Sequence, residues 1–112
     1  MSIRNFDGEI QTLNDTPFGY AVKIISGKWK MVILYLLAEQ GSTRFTAIRN
    51  YIGNISDKTL SSQLKELESD EIIRRSGEHA AHPEYCLTER GWTLVPIIEE
   101  LCYWGVDHQN DL

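Results

Sequence analysis

Between Ser56 and Ser69, Leu60, Leu64 and Leu67 recur at i, i+4 and i+7, a spacing that draws a narrow apolar stripe along a helix. At 100° per residue the opposite face carries Lys58, Ser61, Ser62 and Lys65, with Thr59 and Glu66 flanking. These are short hydrogen-bonding side chains mixed with amines. Such hydroxyls suit base edges in a major groove, and lysines suit phosphates. Ordinary solvated helices also carry Ser and Lys, so a nucleic-acid reading depends on what surrounds this helix.

A second polar cluster follows. Arg74, Arg75, Ser76, His79 and His82 lie along a candidate hairpin, and a wing laid on a duplex uses such residues for phosphate contact. Strand alternation turns one of the two arginines away from the core. Glu78 at the tip opposes binding. His79, His82 and Cys86 form an H-x2-H-x3-C run. Structural zinc takes four ligands and no fourth stands nearby, so neither a metal nor another cofactor is expected. The sequence contains no GxGxxG, Walker loop, GxSxG elbow or HExxH, and no enzyme is expected.

Holding these side chains requires a scaffold, and its parts are readable in order. Residues 1–14 show no period and read as an arm. Asp15-Thr16-Pro17 starts a first helix that Ser26-Gly27 stops. The second, Lys28 to Gln40, is apolar nearly all round and reads as buried. Ser42 to Arg44 is a short edge strand, with Arg44 counted among the DNA-facing residues. Phe45 to Ile52 forms a third helix. A short Gly-containing turn leads to Ser56, the N-cap of the fourth helix and itself a candidate DNA contact. Ile72 to Ser76 and Glu84 to Leu87 read as two strands joined by a loop of about seven residues. Thr88 caps a last helix running to about Trp104, with Gly105 beyond it.

This order predicts a mainly α fold with a small β-hairpin (α+β), a winged helix-turn-helix over residues 15–106 with a tail at 107–112. The fourth helix enters the major groove and the hairpin 72–87 is the wing.

The 112 residues suffice for one domain, and 42% apolar with 24% charged residues excludes disorder. A net charge of −5 weighs against nucleic acid until the chain is divided. Residues 83–112 hold six acids against Arg90 alone, whereas residues 44–82 balance at six and six. The reading segment is therefore neutral overall and free to present a basic face. No CxxC pair occurs, and the polar N-terminus lacks an apolar signal core. A cytoplasmic chain with reduced thiols and no membrane contact is expected.

The terminal helices are broader in apolar residues than one packed neighbour requires. Phe18, Tyr20 and Ile24 on the first, with Ile98, Leu101, Cys102 and Trp104 on the last, are expected to form a twofold dimer interface. Cys102 on that arc reads as a packing residue. Trp29, Tyr35, Trp92 and Trp104 could line a small-molecule effector pocket, although core or interface roles are favoured.

Ser26-Gly27-Lys28-Trp29, Arg44-Phe45, Ile55-Ser56-Asp57-Lys58-Thr59-Leu60, Leu64-Lys65-Glu66-Leu67, Glu84-Tyr85-Cys86-Leu87-Thr88-Glu89-Arg90-Gly91 and Trp104-Gly105 stand in a fixed order. Over about residues 16–106 this set resembles the HxlR-type (DUF24) transcription regulators, winged helix-turn-helix proteins related to the MarR group. The resemblance implies a homodimeric bacterial DNA-binding regulator, usually a repressor, on an inverted-repeat operator. Two departures stand out. Many members place a redox-active Cys directly before the Pro of the first helix; here Thr16 precedes Pro17, and a hydroxyl supplies no thiolate. The family's Asp-Gly after the fourth helix is Asp70-Glu71, which is strained if Glu71 takes a positive φ. A protein-interaction module that keeps the scaffold without binding DNA is the alternative expectation.

Overall fold

The Thr16 hydroxyl opens the fold: its Oγ1 accepts from Gly19 N at 2.9 Å and caps α1 (Pro17–Ile25), with Pro17 in the first turn. The computed structural model describes residues 15–77 and 82–111. After α1 come α2 (Lys30–Gln40), β1 (Thr43–Arg44), α3 (Phe45–Ile52) and α4 (Asp57–Ser69). They are followed by β2 (Ile73–Ser76), β3 (Glu84–Leu87), α5 (Glu89–Trp92) and α6 (Val95–His108). The fold is mainly helical with one small antiparallel sheet, in the order β1-β3-β2.

Each helix of the central trio contributes one apolar stripe to a common core. Ile33, Leu34, Leu36 and Leu37 of α2 meet Ile48 of α3 and Leu60, Leu64 and Leu67 of α4, all almost fully buried. The sheet closes one side with Ile73, Tyr85 and Leu87, and its register pairs Ile73 with Leu87 and Arg75 with Tyr85. Ile24 and Ile98 bring the terminal helices into the same cluster.

Four expectations about the helices need correction. The last helix is two helices. Pro96 inside one continuous helix would clash with the carbonyl of Trp92, and the chain instead breaks there and restarts with Pro96 in the first turn of α6. Gly105 does not end α6, which runs on to His108. The His108 ring stacks on Trp104 at 4.4 Å and its Nδ1 lies 2.9 Å from the Trp104 carbonyl, which braces the last turn. Likewise α2 starts at Lys30 rather than Lys28, because Gly27 at φ +129° turns the chain first. Nor is α2 wholly buried: Met31, Val32 and Tyr35 form an exposed apolar strip.

At the end of α4, Ile72 N donates to Leu67 O and Glu71 N to Glu68 O, both at 2.9 Å. That is a Schellman cap with Glu71 at the left-handed position, φ 60°, where glycine usually stands. The left-handed turn is formed without glycine, at a cost of roughly 1 kcal/mol. Gly91 fits α5 against this turn: a Cβ there would stand 2.2 Å from Ile72 O.

Candidate nucleic-acid interface

Ser56 sets the start of α4. Its Oγ accepts from Thr59 N at 3.1 Å and lies 2.9 Å from Thr59 Oγ1, so its hydroxyl is occupied in capping before any ligand arrives. The apolar stripe below then fixes the rotation of α4. Lys58, Thr59, Ser62 and Lys65 are exposed, and Ser61 is half-buried. No side chain among the described residues engages either lysine, which leaves both amines available to phosphates. Arg49 Nη1 pairs with Asp57 Oδ1 at 2.9 Å, tying α3 to the first turn of α4 across the connecting turn.

The wing places its arginines on different faces. Arg74 pairs across the sheet with Cys86 on the outer face, and its Nη2 lies 3.5 Å from Cys86 Sγ. Arg75 shares the inner face with Tyr85 but extends past the edge of the core, so both arginines are exposed. Arg44, at the start of α3, and His82, at the root of the wing, line one shallow cleft with Phe45, Thr46 and Pro83. Helix start and wing are thus brought together at one edge. His79 and Glu78 lie outside the described residues.

Two residues of consequence escaped the sequence reading. Lys30 is 3% exposed, and its Nζ donates to Glu66 Oε1 at 2.7 Å. Its hydrogen bond and its charge hold the Glu66 carboxyl below the usual range, with Ser62 assisting. The signal was present: Lys30, Ile33, Leu34 and Leu37 occupy one helical stripe. Arg90 is the second. Its Nε donates to Asp70 O at 3.1 Å and its Nη2 to Tyr20 OH at 2.5 Å, joining α1 to the C-cap of α4.

Away from this face, Phe18, Tyr20, Leu101 and Trp104 are exposed, whereas Ile24 and Ile98 are buried within the chain's own core. Cys102 is exposed in the single chain. Of the four aromatic pocket candidates only Tyr35 and Trp92 line a common cleft, with Ile98 and Glu99; Trp29 packs on the core and Trp104 stands free of that cleft. Glu39, by its charge and hydrogen bond, pushes the Tyr35 phenol up.

A three-helix core, an exposed basic and hydroxylic helix and an arginine-bearing wing define a winged helix-turn-helix DNA-binding protein. The chain belongs to the HxlR-like helix-turn-helix family, which matches residues 24–111. An HTH-type transcriptional regulator of Halalkalibacterium halodurans is 51% identical over 113 residues, covering 99% of this chain and all of the relative. The reduced form of the redox regulator HypR superposes with a TM-score of 0.79 at 35% identity, covering 84% of this chain and 94% of that one. A MarR-family regulator from Porphyromonas gingivalis gives 0.79 at 26% identity, over 89% and 98%. The protein is therefore a DNA-binding transcriptional regulator. Among the described residues no helix is long and apolar enough to cross a membrane.

Proposed function

We propose that the chain works in the cytoplasm as a homodimeric repressor on an inverted-repeat operator. The observation that carries the dimer is apolar exposure on the terminal helices. Phe18, Tyr20, Ile97, Leu101, Tyr103 and Trp104 are each at least 47% exposed in the single chain. Apolar surface on this scale marks an association face, and a twofold axis satisfies it with one self-complementary patch. Ile24 and Ile98 support that patch from beneath.

Two recognition helices related by the twofold would meet half-sites about one duplex turn apart. Lys58, Ser61, Ser62 and Lys65 then face the major groove, with Ser56 and Thr59 at the helix entry. Arg44, Arg74, Arg75, His79 and His82 contact the flanking backbone. A small-molecule effector would enter the cleft between α2 and α6 beside Tyr35 and Trp92. A Cys switch directly before the Pro of the first helix is not open to this chain, because Thr16 supplies no thiolate there and its hydroxyl caps α1.

Selection of bound fragments from genomic DNA, followed by salt titration of the best fragment, tests the reading. A recovered inverted repeat, bound by a dimer with affinity falling steeply in salt, is expected. No enrichment by a folded dimer would overturn it.

A further inference from the structure

Four residues beyond Ser62, and about 40° from it around α4, stands Glu66, a carboxylate on a helix whose partner is a polyanion. Its side chain is 53% exposed, so an uncompensated charge there would repel the phosphates flanking the groove. It is compensated from inside the protein. Lys30 Nζ donates to Oε1 at 2.7 Å, while Ser62 Oγ lies 3.5 Å from Oε2. The aliphatic stem of Lys30 occupies the buried stripe of α2, and at 3% exposure its ammonium is too enclosed to meet a phosphate itself. Its charge therefore acts on DNA only through Glu66.

The surroundings leave this joint little freedom. A Cβ on Gly27 would stand 2.6 Å from Gln63 Oε1 and 3.3 Å from Lys30 Cδ. The turn before α2, the stem of Lys30 and the α4 side chains at 63 and 66 are thus packed as one unit. Tethering two helices does not by itself call for charges, since an apolar pair of similar volume holds them as well. What the ion pair adds is a cancelled charge beside the reading face.

We propose that Lys30 is a positioning residue for DNA recognition, which holds Glu66 from beneath and neutralises it next to the Ser62 side of α4. The proposal rests on α4 being the DNA-reading helix. Its test compares wild type, Lys30→Met, Lys30→Met/Glu66→Gln and Glu66→Gln on the best fragment from the genomic selection, at several salt concentrations, with thermal stability measured alongside. Lys30→Met is expected to bind about tenfold more weakly at low salt, with the deficit shrinking as salt screens the repulsion. The double variant should return to within about twofold of wild type although it lacks the ion pair. Glu66→Gln, which keeps Lys30, should bind at least as well as wild type and gives a reading that does not depend on Lys30→Met folding. A purely structural pair would shift thermal stability and leave the affinity of the folded variants equal, which would overturn the proposal. So would a double variant as weak as Lys30→Met, or a loss of binding in Glu66→Gln. Failure of wild type to select any DNA is a separate result, visible before any variant is made, and it would overturn the DNA reading of α4 itself.

Discussion

The Thr88 hydroxyl lies 2.7 Å from the carbonyl oxygen of Glu71, the single non-glycine among the described residues with a positive φ. The same Oγ1 lies 3.0 Å from Ile72 O and accepts from Gly91 N at 2.9 Å. One hydroxyl therefore caps α5 and holds the strained turn that links α4 to β2.

Replacing Glu71 by Gly should stabilise the protein by about 1 kcal/mol, because glycine occupies the left-handed region without a Cβ penalty. A rise in Tm of a few degrees in thermal melts is the expected reading. Thr88→Val should act in the opposite direction, by about 1–3 kcal/mol, since it leaves the part-buried Gly91 N–H without its partner.

Thr16→Ala should cost about 1 kcal/mol through loss of the α1 cap. Denaturant titration checks this, and an unchanged slope with a lower midpoint is expected.

Removing Lys58 and Lys65 as Ala should weaken binding to all sequences and lower the slope of log affinity against log salt by about 2 per protomer, one per lost phosphate contact. Fluorescence anisotropy across a salt series measures it. Both side chains are exposed, so the melting temperature should barely move.

Leu101→Asp with Trp104→Asp should give a folded monomer. Both residues are more than half exposed in the single chain, so the charges fall on the proposed interface rather than in the core. Sedimentation velocity would show the change in mass, with circular dichroism confirming the retained helices. In the wild-type dimer the Cys102 thiol should react with a maleimide more slowly than in this variant.

The Lys30–Glu66 pair also predicts a pH effect. Lys30 lowers the Glu66 pKa in the folded chain, so the pair's stabilisation is fully present above the ordinary glutamate value of about 4.3. It is lost as pH falls through the lowered value. Glu66→Gln should therefore show less acid destabilisation below about pH 4.3 than wild type in parallel acid titrations. The exposure of Glu66 keeps this component small.

Local signals were the legible part of the protein. The Thr16-Pro17 start, the span of α3, the Ser56 cap, the stripe of Leu60, Leu64 and Leu67 and the strand Glu84–Leu87 each depend on residues within a turn or two of one another. Caps and periodicities act over that range, so the sequence by itself determined most of the elements, their order and the polar face of α4. Pro96 was a local signal too, and it broke the last helix where steric rules require.

Tertiary structure decided what those faces meet. Lys30 and Glu66 are thirty-six residues apart, and only the packing of α2 on α4 turns a helix-starting lysine into a buried partner of the exposed Glu66. Arg90 reaches Tyr20 across seventy residues by the same means. The left-handed Glu71 is likewise a product of context: its intrinsic preference is against that conformation, and the Schellman bonds and Thr88 overrule it. Pairings of this kind depend on desolvation and distance, which exist only once the core has closed.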